Sequence, residues 1–382
     1  MATVETERPP LTTQRPSDAP ADRNRTLPIA WWGAIGAAFL AFAAYLIIHW
    51  LASGEAHRVS SGPTHLPTWM KICLGTQQWG LFAGMCALVY FKAIRPKMRT
   101  GRVPLDGLMV ISFALLWWSD PFYNYFQVGF NYNAWFVNLG SWVGGAPGWM
   151  SPNASRTPQP LLWLPGVYTC WFYGMVLFVN VLMRRLYAWR PRLSMPATWA
   201  LAFVPTLILG TILESLMMRM GSHSYAGSIR WLTLFPGKYY EFPIYQGITG
   251  AILFTTWGAM RFYRDDQGYS FAERGIQKLK VGKRATGWLR FFAVSGAITT
   301  IFFLGYHLPN ALFAAEGGAW PHSVLQRSYF TDGLCGPRTN VACPGPNTPI
   351  SRTDSARVGP NGTLIVPRGV TLPKPVNQAG TR

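Results

Sequence analysis

The sequence predicts an all-α, polytopic membrane helix bundle with about seven transmembrane helices, N-terminus in and C-terminus out. Three observations predict it. Hydrophobic residues make up 49% of the 382-residue chain and charged residues only 13%, about half the ~25% charge of soluble domains. Seven apolar runs follow one another, each near the ~20 residues a bilayer requires. Lys and Arg collect in alternate connections between those runs, as the positive-inside rule requires of cytoplasmic loops.

The elements justify themselves in order. Residues 1–26 are rich in Pro, Thr and Arg without apolar periodicity, which predicts a disordered cytoplasmic tail. Acids and prolines in that tail, and the length of the apolar run after it, argue against a cleavable signal peptide. The runs cover residues 27–51, 72–93, 104–118, 161–183, 196–218, 243–263 and 288–308, together a 27–309 transmembrane domain. The third is the shortest and draws on residues beyond Asp120.

Charge sets the orientation. The tail carries Arg8, Arg15, Arg23 and Arg25, and the second connection Lys92, Arg95, Lys97, Arg99 and Arg102. The fourth carries Arg184, Arg185, Arg190 and Arg192. The sixth runs from Arg261 and Arg264 through Arg274, Lys278, Lys280 and Lys283 to Arg284. The first, third and fifth connections are poorer in cations. The formal net charge of +19 is therefore topological, and no nucleic-acid partner is expected. The chain reads as a multi-pass protein of the cell membrane, with the lipid bilayer as its partner.

The long 119–160 connection and the 310–382 segment then lie outside, the latter as a mostly irregular tail. Cys73, Cys86 and Cys170 sit in apolar runs as packing residues. Cys335 and Cys343 sit in the outer tail, where an oxidising space permits a disulfide. No cysteine spacing suggests a metal site or haem attachment, and no cofactor is expected. The seventh run has no lysine for a retinal Schiff base, no Walker A motif occurs, and no two inverted halves are visible.

Residues 119–153, SDPFYNYFQVGFNYNAWFVNLGSWVGGAPGWMSPN, are dense in aromatics, asparagines and glycines and almost free of charge. Such a stretch reads as a half-buried cap over a cavity. Ionisable and polar residues cluster by depth beneath it: His49, Gln77 and Gln78, Asp120, Glu214, Glu241, Tyr245 and Gln246, His307 and Asn310. The inner halves of the helices hold almost nothing ionisable. An acid-bearing chamber in the outer half of the bilayer is the expectation.

Glu214 is the sharpest signal, because a carboxylate within an apolar helix costs roughly 2.5–3.5 kcal/mol near the bilayer centre. Thr206, Gly210 and Glu214 share one helix face, while Pro205 is expected to kink the helix. A neutral, hydrogen-bonded structural Glu is the competing reading. Asp120 precedes Pro121 and equally fits an N-cap of a helix over 121–127. Glu241 with Tyr239, Tyr240 and Tyr245 fits an aromatic interface belt as well as a site. His49 and His307 are lone histidines at helix ends. The expected site joins Glu214 and Asp120 as catalytic carboxylates to Asn124, Asn133, Trp135, Glu241, Tyr245, Gln246 and His307 as substrate-binding groups.

The run NYNAWFVNLGSWVGGAPGWMSPN, with SDPFYNYF before it and PLLWLPGVY after it, resembles the AveC-like family of actinobacterial membrane proteins, grouped with the avermectin spirocyclase. The resemblance is concentrated between Ser119 and Tyr168. It implies a cyclase of polyketide-type secondary metabolism that closes an apolar dihydroxy-ketone substrate into a spiroketal, with dehydration in some members. It brings no residue roles with it. The alternative is non-enzymatic binding or transport of an apolar ligand or lipid; a structural membrane partner acting through its outer tail is a third reading.

Overall fold

A computed structural model describes residues 27–345, 356–369 and 371 of the chain. The expected tail at 1–26 lies outside the described residues, as does part of the C-terminal segment.

Every apolar run is helical. Helix α1 spans Pro28–Ala52 and opens with proline at its first turn, where the missing N–H is no loss. Helix α2 spans Thr68–Thr100. Helix α3, Leu105–Leu115, tightens into a 3₁₀ extension over Leu116–Asn124. Then come α4 at Trp163–Trp189, α5 at Met195–Arg219, α6 at Ile244–Phe262 and α7 at Lys283–Ala315. Ser194 caps α5 by accepting the Ala197 N–H. Pro205 lies inside α5 without interrupting it.

Five helices (α1, α2, α4, α5 and α7) are long and apolar enough to cross a membrane. The chain is thus a mostly helical membrane protein. Helices α3 and α6 are shorter or more polar because both are interior. Most of α3 is buried, as is most of α6. Two of the α6 threonines are satisfied within their own helix, Thr249 by the Tyr245 carbonyl at 3.1 Å and Thr256 by the Ile252 carbonyl at 2.7 Å. A helix wrapped in protein can keep such hydroxyls; one facing lipid sheds them.

Helix α1 lies along α7. Their backbones meet at Gly36 and Gly296: a Cβ on Gly36 would stand 1.9 Å from the Phe292 carbonyl oxygen, and one on Gly296 2.2 Å from that of Trp32. Small residues at such crossings let helices approach where lipid gives no hydrophobic drive. Helix α5 packs on α6 and α4. The central core gathers Phe113, Phe172, Trp257 and Phe302.

A part-buried charged cluster joins α3, α4 and α6. Arg261 near the end of α6 donates Nε to Asp106 Oδ1 at 2.7 Å and an Nη to Oδ2 at 2.8 Å. Its other Nη reaches Asn180 at 2.7 Å, and Tyr173 donates to Asp106 at 2.9 Å. A bidentate pair with further hydrogen bonds is what makes a part-buried charge tolerable.

One end of the bundle is built from three sets of connections. Strand β1, Asn131–Tyr132, pairs antiparallel with β2, His223–Ser224, setting Tyr132 opposite His223. Strands β3, Thr233–Leu234, and β4, Phe242–Pro243, form a second short hairpin. The segment beyond residue 310 is the third set. Helices α8, His322–Leu325, and α9, Ser328–Thr331, carry Val324 and Phe330 into the central core, beside Trp320 and Leu334. The Tyr329 carbonyl accepts the Ala134 N–H at 2.8 Å, and the Leu334 carbonyl accepts Asn153 Nδ2 at 2.9 Å. Cys335 and Cys343 are joined by a disulfide. Strands β5, Arg357–Val358, and β6, Leu364–Ile365, pair beyond it.

Candidate functional site

Asp120 does not start a helix. The 3₁₀ turns run from Leu116 through Asn124 with Pro121 inside them and Leu115 as their N-cap. Proline's fixed φ matches a 3₁₀ turn, so the chain passes the Asp-Pro step without a new helix and the Asp120 side chain is left free for other partners. It points inward and is 7% exposed. Its Oδ1 accepts the hydroxyls of Tyr132, at 2.9 Å, and of Tyr168. Its Oδ2 is buried with no hydrogen-bond partner among the described residues. A buried polar atom without a partner is rare and calls for a reason.

Glu214, on the last turns of α5, faces the same space, with its side chain 21% exposed. The hydroxyl of Tyr225 donates to its Oε1. His223 Nε2 stands 3.6 Å from that oxygen.

Between these groups lies a cavity of about 70 Å³, room for roughly two waters at ~30 Å³ each. Asp120, Tyr123, Phe130 and Tyr132 come to it from the 3₁₀ extension and the cap. Trp163, Tyr168 and Trp171 come from α4, Glu214 and Met217 from α5, His223 and Tyr225 from β2 and the turn after it, Leu253 and Phe254 from α6, and Tyr306 from α7. Two of these helices carry a π-turn at the site, Tyr168–Phe172 in α4 and Phe303–His307 in α7. Each extra residue rotates the part of its helix on one side of the turn relative to the part on the other, and such turns recur at functional sites. Here they aim Tyr168 and Tyr306 into the cavity.

Of the residues expected from sequence, Asp120 and Glu214 line this cavity and the others stand apart from it. Asn124 is used by the backbone: its Oδ1 accepts the N–H groups of Gly129 and Phe130, each at 3.0 Å, and its Nδ2 donates to Phe130 O at 2.8 Å. Asn133 holds the Gly221 carbonyl at 2.9 Å and the Trp135 N–H at 3.0 Å, tying the cap to the end of α5. Trp135 is half-buried against α2, its ring over Gly75. Glu241 is buried, bound by Ser228 Oγ at 2.5 Å and Gly237 N–H at 2.8 Å. Burial pushes its carboxyl above the usual carboxylate range, against those two hydrogen bonds.

Tyr245 stacks on Phe313 with ring centroids 4.5 Å apart. Gln246 reaches the cavity only through the Tyr306 hydroxyl, to which its Nε2 donates. His307 Nε2 lies 3.2 Å from Ser119 Oγ, one residue from Asp120. His49 packs against Gly145 of the cap.

Sequence reasoning passed over His223, Tyr225, Tyr132 and Tyr168. A signal for the first two was present. In SHSYAGS the His and Tyr alternate as strand residues do, nine and eleven residues beyond Glu214 in the connection after α5.

The fold and cavity define a class: a multi-helical membrane protein with a small, partly open, aromatic-lined cavity holding two carboxylates. Residues 100–330, more than half of the chain, match the family described as Spirocyclase AveC-like. The chain belongs to that family. No curated protein and no solved structure matches the chain. The matched span contains every cavity-lining residue and ends before the disulfide.

Proposed function

We propose that the protein is a membrane-embedded cyclase that closes a hydroxyl-bearing ketone of polyketide type into a spiroketal, within secondary metabolism. One observation carries this: two carboxylates, each gripped by tyrosine hydroxyls, share one small aromatic cavity. Seven helices cross the bilayer in this reading. The N-terminus is cytoplasmic and the cavity lies in the extracytoplasmic half of a cell membrane.

Spiroketal closure consumes no cofactor and has no net proton change. A first hydroxyl attacks the ketone carbon, and the carbonyl oxygen needs a proton as it becomes a hydroxyl. That hemiketal hydroxyl then leaves as water, and a second hydroxyl captures the oxocarbenium ion. Asp120 suits the acid role. Its Oδ1 is held by Tyr132 and Tyr168, so the unpartnered Oδ2 is the oxygen free to give a proton. Glu214 suits the base that relieves the attacking hydroxyl. Once deprotonated, Asp120 also steadies the cation, as paired carboxylates do in glycoside chemistry. The aromatic wall excludes water, which would otherwise trap the cation.

A cavity of about 70 Å³ encloses the ketone and its neighbouring atoms rather than a whole chain. The remainder of the substrate lies toward the bilayer, past the half-buried Trp171 and Met217.

The test is conversion of a linear dihydroxy-ketone by membranes bearing the wild type, Asp120→Asn or Glu214→Gln. Conversion by the wild type and its loss in both variants is expected. Binding without conversion by the wild type would favour a carrier of apolar ligands instead, and unchanged conversion in both variants would overturn the assignment.

A further inference from the structure

The hydroxyl that touches the His223 ring also donates to a backbone carbonyl, and that points to which ring nitrogen is bare. Ser222 Oγ donates its single hydrogen to the Met217 carbonyl at 2.8 Å. The same Oγ lies 2.8 Å from His223 Nδ1. With its hydrogen spent, the hydroxyl accepts, so Nδ1 carries the N–H. In the neutral ring Nε2 is then a lone pair. It is buried, has no hydrogen-bond partner among the described residues, and faces Glu214 Oε1 at 3.6 Å. The whole residue is 3% exposed.

The ring sits in an aromatic cage beside the Glu214 carboxyl. Four aromatic rings enclose it: Phe130 at 5.2 Å, Tyr225 at 5.7 Å, Trp163 at 6.1 Å and Tyr132 at 6.2 Å between centroids. Aromatic faces within about 6 Å attract a cation, and more so where water is excluded. Its remaining charged neighbour is the carboxylate of Glu214.

The β1–β2 pair gives the arrangement its purpose. Tyr132 and His223 are directly opposed across that ladder, so their side chains stand together on one face. Tyr132 holds Asp120 and His223 faces Glu214. One two-residue ladder therefore sets the two carboxylates against each other across the cavity.

We propose that His223 is the proton-holding partner of Glu214: the two form one base, which takes the proton of the attacking hydroxyl and keeps it between Oε1 and Nε2. The inference rests on the cyclase reading. The balance closes. In the first step the hydroxyl oxygen bonds to the ketone carbon, its proton passes to the Glu214–His223 pair, and Asp120 protonates the carbonyl oxygen. In the second, the pair returns its proton to the hemiketal hydroxyl, the C–O bond breaks and water leaves. In the third, the second hydroxyl bonds to the cationic carbon and its proton restores Asp120. His223 acts through Glu214 and is a positioning residue in this scheme.

The experiment has two arms. In turnover, His223→Ala loses about a hundredfold in kcat with KM little changed, in line with the ~10²–10⁴ of a general base. Added imidazole fills the vacated cage and restores much of the loss, whereas His223→Phe, which fills it with carbon, is not restored. Full activity in His223→Ala, or a loss that imidazole leaves untouched, overturns the proposal. In the second arm, ¹⁵N spectra of histidine-labelled protein read the tautomer without turnover. A protonated Nδ1 and a bare Nε2 are expected in the neutral ring, and the reverse overturns the proposal. Should the wild type convert no ketone at all, the cyclase reading fails while the spectrum still decides the tautomer.

Discussion

Removing the two hydroxyls that hold Asp120 separates an organised acid from a merely buried one. Tyr132 and Tyr168 both donate to Oδ1, and Oδ2 has no partner among the described residues. When Asp120 has given up its proton, both hydroxyls face a full negative charge. A hydrogen bond to a charged group contributes roughly 1.5–3 kcal/mol, and each ~1.4 kcal/mol is tenfold in rate. Tyr132→Phe or Tyr168→Phe alone therefore lowers kcat/KM by about 10- to 100-fold, because one donor remains on Oδ1. The double variant leaves a buried carboxylate with no donor on either oxygen, so its loss exceeds the product of the single losses. The assay is initial-rate conversion of a linear dihydroxy-ketone by membranes at matched protein level, with a melting curve for each variant in detergent to establish folding. A folded double variant within threefold of wild type would refute the reasoning. Losses that merely multiply would show that the two tyrosines act independently of Oδ1.

Three further outcomes follow from the packing. Gly296→Leu should detach α1 from α7 and lower the melting temperature sharply, since even a Cβ there meets the Trp32 carbonyl at 2.2 Å; Gly287→Ala, on an open face of the same helix, should leave it unmoved. Arg261→Met strands Asp106 in a part-buried place and should cost about 3 kcal/mol of stability, read by denaturant titration, with Asp106→Asn recovering part of the loss. Reducing the Cys335–Cys343 bond releases a short closed loop, worth about 2.5 kcal/mol by loop entropy; the reduced protein should show faster proteolysis next to Leu334, whose carbonyl accepts Asn153 Nδ2 beside the loop.

What the sequence by itself determined is what one-dimensional pattern encodes. Runs of apolar residues near bilayer length fix where helices are, because backbone groups in lipid must be paired within their own segment. Glu214 was legible because a carboxylate inside such a run stands out against its neighbours. The cap at 119–153 was legible because its composition fits neither a solvated loop nor a spanning helix, and its Asp120, Tyr123, Phe130 and Tyr132 do line the cavity.

Other features required the folded chain. Asn124 and Asn133 looked like ligands for a substrate, yet both spend their amides on nearby backbone, a choice that depends on which carbonyls the fold leaves unpaired. Asp106 and Arg261 lie 155 positions apart, and only helix packing makes them a pair. The residues beyond 310 read as loose from their Gly and Pro content, but Trp320 and Phe330 fill the core beneath the cap. Tyr132 and His223 belong to separate connections and meet through a ladder of two residues, too short for the sequence to specify which strand pairs with which. The chamber's carboxylates were thus half visible in the chain, Glu214 plainly and Asp120 under the guise of a helix cap. Their tyrosine and histidine partners were assigned by tertiary structure alone, because a hydrogen bond across a cavity joins positions that sequence spacing does not relate.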